Sequence, residues 1–237
     1  MSVAFVMFAR REKRATTFCL ETVRKWYPNE PIYVFENESS VCGEVAEKNN
    51  ALYFQQPVHY MRPRPHTIYA AFASIEGVSI YVNQWRTALA GIDSDWIILL
   101  EADVIIRNRV ESFPTASMGG HLHSFNGFHS SVNKEINSKR SRNKQTEYTS
   151  SAAGGNIFRV DALKKIFHDD SWQDHLRNVF EHVQHPDVIL SYLFYINDFD
   201  IEDWPGYCEL HQTKDKLRHA LAPIAHGFKY FYDNEHK

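Results

Sequence analysis

A chain of 237 residues with 43% hydrophobic and 23% charged residues has the composition of a folded globular protein, which excludes disordered, collagen-like and coiled-coil architectures. Its 26 Lys+Arg against 29 Asp+Glu leave a formal net charge of -3, so no chain-wide attraction to nucleic acid or to an anionic membrane is expected. The three cysteines, Cys19, Cys42 and Cys208, lie far apart with no C-x-x-C pair. They encode neither a disulfide framework nor a zinc knuckle, and a reducing compartment is the simplest setting.

The start, Met1 to Phe8, has no basic leader and meets the charged run Arg10 to Arg14 after too few apolar residues for a signal peptide or a membrane span; a cytoplasmic chain without a membrane anchor is expected. Val3 to Phe8 reads instead as a strand buried on both faces, as in a parallel sheet. Apolar residues then recur at helical spacing from Glu12 to Trp26, where Pro28 ends the helix. Ile32 to Phe35 predicts a second strand, Val41 to Lys48 a short helix, and Ala51 to Phe54 a third strand. This βαβαβ order favours a doubly wound α/β fold.

Arg62-Pro63-Arg64-Pro65 is an extended loop, because a residue before proline is pushed out of the helical region. Helical periodicity runs from about Tyr69 to Ala90, with Gly77 a weak point. Trp96 to Leu100 is the most strand-like run in the chain and ends in Glu101-Ala102-Asp103. Beyond it come an expected strand at His121 to Phe125, a polar segment from Asn126 to Ser151, a turn at Gly154-Gly155, a strand from Asn156 to Val160, a helix from Asp161 and another from Pro186. No repeat or low-complexity linker divides the chain, so residues 1–237 are read as one domain, with a nucleotide-side half over about 1–110 and an acceptor half over about 111–237.

Glu101 and Asp103 stand two apart at a strand end, which turns both carboxylates to one face while the backbone stays extended. Carboxylates at the carboxyl end of a central parallel strand lie where open α/β sheets place their ligands. Such a pair can hold Mg²⁺ or Mn²⁺ and leave coordination sites for phosphate oxygens. The plainer reading of the pair is a solvated cap on the following turn.

The run Ser94 to Val104, an apolar strand closed by an acidic triplet, resembles the D-x-D-type motif of nucleotide-sugar-dependent glycosyltransferases of the GT-A fold, with Glu in the first acidic position. Gly154 to Leu163 resembles the glycine-led acceptor-side strand and helix of that group, and His185 to Leu190 the place where inverting members carry a catalytic carboxylate. The order of the three covers residues 3 to about 230. The resemblance implies a mostly parallel central sheet with helices on both faces, and a metal-dependent transfer of a sugar from a UDP or GDP type of donor to a carbohydrate acceptor.

It also implies roles for residues. Phe8, Ala9 and Arg10 after the first strand, Glu36 and Asn37 after the second, Arg86 on the long helix, Glu101, Ala102 and Lys229 would meet the nucleotide sugar. Glu101, Asp103 and His226 would hold Mn²⁺ or Mg²⁺, with His211 the rival to His226; imidazole suits Mn²⁺ better. Gly154, Gly155, Asn156 and Trp204 would face the acceptor, and Asp187 would be the base that takes the acceptor hydroxyl proton in an inverting transfer.

Other patterns are less pointed. Arg62 and Arg64 suit phosphate or a solvated loop. His121 and His123 share a strand face without a third ligand, and Pro186 breaks the helix that would pair His182 with His185. Lys134, Lys139, Arg140, Arg142 and Lys144 suit either a lid over diphosphate or a solvated loop. Trp172, Trp204, Tyr207 and Phe228 are core residues by default, or platforms for sugar rings. A nucleotidyltransferase would share the sheet and the metal, yet Ala9 to Arg14 has no glycine where that class carries a glycine-rich loop. A carbohydrate-binding protein without turnover is the non-enzymatic alternative.

Overall fold

Seven apolar residues in a row can bury both faces of a strand, and Val3–Ala9 (β1) does so, with every position but Phe8 buried. The computed structural model describes residues 1–9, 12–37, 40–56, 61–63, 70–141, 145, 147–151, 154–210 and 215–227, and for 61–63, 70 and 123–126 the backbone alone. After β1, α1 (Lys13–Trp26) turns Thr16, Cys19, Leu20 and Val23 to the core. Next come β2 (Ile32–Asn37), α2 (Gly43–Lys48) and β3 (Leu52–Gln56), then an antiparallel ribbon of β4 (Met61–Pro63) and β5 (Ala70–Phe72).

The helix expected from Tyr69 begins later, as α3 (Ile75–Gly91), because the Ser74 hydroxyl caps it by accepting the Gly77 N–H at 3.4 Å. β6 (Trp96–Leu100) is buried throughout and is followed by the two-residue β7 (Ile105–Ile106). A further strand, β8 (Met118–Gly120), precedes the strand expected at His121 to Phe125, which is β9 (Leu122–Gly127). The polar segment after it contains a helix, α4 (Ser130–Lys139), whose apolar face is only Val132 and Ile136 with Asn133. Two apolar positions in so polar a stretch give too weak a period to read.

β10 (Thr149–Ser151), β11 (Ile157–Arg159), α5 (Val160–Ile166), α6 (Ser171–Arg177) and α7 (Pro186–Ile196) follow, then β12 (Ile201–Asp203), β13 (Tyr207–Glu209), α8 (Lys216–Leu221) and β14 (Ile224–His226). The central sheet has the order β3-β2-β1-β6-β11-β8-β12. Only β11 runs against its neighbours. One apolar layer packs α3, α5 and α7 on one face around Trp85, Phe158 and Phe194. The other packs α1 and α2 on the opposite face around Phe5, Leu20, Ile98 and Tyr207. The result is a three-layer α/β fold in which the parallel strands end at one edge of the sheet.

Arg140, placed by the sequence in a lid or solvated loop, is buried. Its guanidinium donates to the Phe199 carbonyl at 2.9 Å, pairs with Asp198 and Asp200, and lies over the rings of Tyr148 and Tyr195. It ties the end of α4 to the turn after α7, so this stretch is a structural clamp. Lys134 and Lys139 are carried on the helix, while Arg142 and Lys144 lie outside the described residues. Arg140→Ala should therefore lower stability by about 2–3 kcal/mol in urea unfolding, since it removes the bond to the Phe199 carbonyl, two ion pairs and two ring contacts at once. A loss of activity with unchanged stability would instead mark a lid.

Candidate metal and donor site

β6 ends at Leu100, and the chain then turns: the Val104 N–H donates to the Glu101 carbonyl at 3.1 Å. The carboxylates of Glu101 and Asp103 are thus brought together by a turn rather than by the extended strand that the sequence reading assumed. β7 follows at once and pairs antiparallel with β14, Ile105 opposite Ala225. β14 pairs parallel with β13, His226 opposite Glu209. This three-stranded ribbon is held on α1, where the Thr22 hydroxyl accepts the Ile106 N–H at 3.1 Å. It carries His226 from near the end of the chain to the end of β6.

His226 Nε2 lies 3.4 Å from Glu101 Oε2 and 3.3 Å from Asp103 Oδ1. One ligand atom from each of the three residues falls within 4.8 Å of the others. The opposite ring nitrogen, Nδ1, is 2.7 Å from Glu209 Oε2. That carboxylate also accepts the Tyr207 hydroxyl at 2.8 Å, and the hydroxyl oxygen is 3.2 Å from Nδ1. The bond to Glu209 assigns the proton to Nδ1 and turns Nε2 toward Glu101 and Asp103. Two carboxylate oxygens and an imidazole nitrogen facing one point form a donor set that fits Mn²⁺ well, and Mg²⁺ less well. Burial works against a charged His226, but Tyr207 and the hydrogen bonds to Asp103, Glu101 and Glu209 outweigh it and hold its pKa well above the ordinary histidine value. Burial also pushes the Tyr207 phenol well above its usual range.

The Gly154-Gly155 turn forms the wall of this site. A Cβ on Gly154 would sit 3.0 Å from His226 Nε2 and 3.1 Å from Glu101 Cδ and Cγ. Gly155 has φ +92°, and a Cβ there would lie 2.3 Å from the Tyr207 ring. The turn is fixed to β6, since the Gly155 N–H donates to the Leu99 carbonyl at 2.7 Å and the Leu99 N–H to the Asn156 carbonyl at 2.9 Å. The glycines expected to face the acceptor thus abut the carboxylate and histidine cluster. Asn156 is buried, its Oδ1 accepting the Ser151 hydroxyl at 3.0 Å.

Other expected site residues are occupied elsewhere. Arg86 donates to the carbonyls of Phe167 and Asp169 and pairs with Asp170 at 2.9 Å, which anchors α3 to the α5–α6 connection. It is not brought to Glu101. Glu36 is fully buried, and its carboxylate accepts the N–H groups of Val41 and Cys42 and the Tyr53 hydroxyl at 2.7 Å, organising the turn into α2. Asn37 is buried and accepts from Gln84 at 3.0 Å. Phe8 packs its ring among Phe35, Tyr81 and Trp85, and Ala9 is buried at the end of β1.

Trp204 is buried in the core, as are Trp172 and Tyr207, so none offers a ring face to a sugar. Ala102 is the middle of the Glu101–Asp103 turn, half-buried. His182 stacks on His129 at 4.1 Å, while His185 Nδ1 lies 3.2 Å from Asp187 Oδ2. His121 is buried against the Tyr207 ring. Arg10, Arg64, His211, Phe228 and Lys229, and the side chains of Arg62 and His123, lie outside the described residues.

Sequence reasoning passed over Glu209. The signal available was its spacing: Tyr207 and Glu209 are two apart on a strand and share a face, an acid flanked by Cys208 and Leu210 in an otherwise buried stretch.

A seven-stranded, mostly parallel sheet with helices on both faces and an acidic turn at the end of β6 defines a GT-A-like glycosyltransferase fold. The solved structures that share it include the galactosyltransferase LgtC in complex with donor and acceptor sugar analogs, with a TM-score of 0.57 and 14% identity over 94% of this chain and 86% of that one. An active-site mutant of LgtC matches with a TM-score of 0.56, again at 14% identity and over the same shares of the two chains. At this identity the fold is what is shared. No protein-family model and no curated protein sequence matches the chain. No helix among the described residues is long and apolar enough to cross a membrane.

The tight fit of Gly154 gives a direct check. Gly154→Ala keeps an ordinary backbone conformation but drives a methyl group against His226 and the more exposed Glu101. We expect Mn²⁺ affinity, measured by calorimetry, to fall by roughly tenfold with little change in melting temperature.

Proposed function

We propose that this chain is a metal-dependent glycosyltransferase that moves a sugar from a nucleotide-diphosphate donor of the UDP or GDP type to a carbohydrate acceptor. The observation that carries the reading is the convergence of Glu101, Asp103 and His226 at the carboxyl end of β6 in a GT-A-like fold. These three residues would hold Mn²⁺ or Mg²⁺. Bound there, the cation supplies positive charge that neutralises the departing diphosphate.

The remaining work falls to side chains. Glu101 and Asp103, on a turn pinned to β6 and walled by Gly154, fix where the diphosphate lies. Asp187 lies in the first turn of α7. That helix leads into β12, which runs with the parallel strands, so α7 starts at the sheet edge where β6 ends. His185 restrains the Asp187 carboxylate. In this reading Asp187 accepts the acceptor hydroxyl proton as that oxygen attacks the anomeric carbon, which makes the transfer inverting.

Melting temperature measured against a panel of nucleoside diphosphates and sugar nucleotides, with and without Mn²⁺, tests the donor site. At about a hundredfold excess over Kd, a ligand of the native state adds about 2.7 kcal/mol. For a chain of this size that is a rise of roughly 5–10 °C. The rise should need both nucleotide and metal and vanish in Asp103→Ala. Sugar binding indifferent to Glu101 and Asp103 would leave a carbohydrate-binding protein in place of the enzyme.

Asp187→Asn should keep the donor-dependent shift and lower turnover by about a hundredfold or more. The anomeric configuration of the product, read by NMR, checks the stereochemistry. Retention would remove Asp187 as the base and leave the donor site standing.

A further inference from the structure

We infer that Glu209 and Tyr207 are positioning residues that set the metal preference of the site by aiming His226. The inference rests on the metal-binding reading above and extends it to two residues with no place in the ligand set. Glu209 is nearly fully buried, and a carboxylate is costly to bury without partners. Its Oε2 takes two, His226 Nδ1 at 2.7 Å and the Tyr207 hydroxyl at 2.8 Å.

The β13–β14 register sets Glu209 directly across from His226, so their side chains are neighbours by backbone pairing. Tyr207 is held in turn. Its ring fills the space above Gly155, where no Cβ fits, and Ile224 closes on the same glycine. The hydroxyl therefore has little freedom, and the chain Tyr207–Glu209–His226 is rigid from the core outward. With Nδ1 engaged, Nε2 is the only imidazole nitrogen left to face Glu101 and Asp103.

A hydrogen-bond partner on the far nitrogen of a ligating histidine orients the ring and raises its basicity, and loss of that partner lowers metal affinity by 10–100-fold. Imidazole contributes far more to Mn²⁺ than to Mg²⁺, which is held chiefly by oxygen. Disturbing the chain should therefore be felt by Mn²⁺ and much less by Mg²⁺. A residue that only stabilises the fold would weaken both ions together.

The experiment is a double-mutant cycle on the full chain, with Mn²⁺ affinity read by electron paramagnetic resonance and Mg²⁺ affinity by competition. Glu209→Gln should weaken Mn²⁺ binding by about tenfold or more and Mg²⁺ binding by less than about threefold. In a His226→Ala background the same change should cost Mn²⁺ almost nothing, because Glu209 acts through the imidazole. Tyr207→Phe keeps the ring and removes only the hydroxyl. It should weaken Mn²⁺ by about threefold to fivefold and serves if Glu209→Gln does not fold. Equal losses for both ions, or additive losses in the cycle, would overturn the positioning role while leaving the metal site intact. Absence of Mn²⁺ binding by the unmodified protein would overturn the metal-binding reading and the inference with it.

Discussion

Three carboxylates around one imidazole are the constraint that the surrounding structure has to satisfy. Glu101, Asp103 and Glu209 each place an oxygen within 3.4 Å of a nitrogen of His226. Unit charges about 4 Å apart repel by about 4 kcal/mol at an effective dielectric of 20, so such a cluster needs positive charge at its centre. A protonated His226 meets the need without metal, and a divalent cation at Nε2 meets it more fully. In the proposed function that centre is where a cation would sit, and the fold supplies the restraint that keeps the acids from separating.

That restraint comes from long-range pairing. Asp103 and His226 are far apart in the chain, and the antiparallel β7–β14 pairing brings them together. β7 is two residues long and would not persist alone. It is held by Thr22 of α1, while Arg218 of α8 binds the carbonyls of Trp204 and Tyr207 and both oxygens of Asp203. The ribbon carrying Glu209 and His226 is therefore fastened to the main sheet at β12 and to α1. The geometry of the Glu101, Asp103 and His226 cluster is inherited from these outer contacts.

The buried strands were plain in the sequence because a strand covered on both faces must be apolar at every position, as Val3–Ala9 and Trp96–Leu100 are. Glu101, Asp103 and His226 were readable because acids after such a strand, and a histidine before a glycine near the chain end, resemble a known pattern. The clamp residues were not readable. Arg86, Glu36 and Arg140 look like surface or ligand-binding charges, and only tertiary structure shows that carbonyls, amides and acids from distant segments absorb them. Trp204 failed for the related reason that an aromatic ring in a polar neighbourhood is silent about which face is covered. For Glu209, local spacing shows only the shared face with Tyr207; its pairing with His226 is set by strand register across β13 and β14.

In the proposed function, the donor and acceptor sides would share one mechanical path. Gly154 touches His226 and Glu101; two residues on, Asn156 accepts the Ser151 hydroxyl, and the Ser151 N–H donates to the Ser191 hydroxyl on α7 at 3.1 Å. Asp187 is four residues before Ser191, on the same face of that helix one turn nearer the sheet edge. A shift of the Gly154-Gly155 turn is thus passed through three buried polar side chains to the helix that presents Asp187. Because Gly120 leaves no room beside Ser151 and Asn156, the path has little slack. In the proposed transfer, which needs the donor diphosphate and the acceptor base aligned on opposite sides of one carbon, such stiffness would hold the two carboxylate centres in register without direct contact.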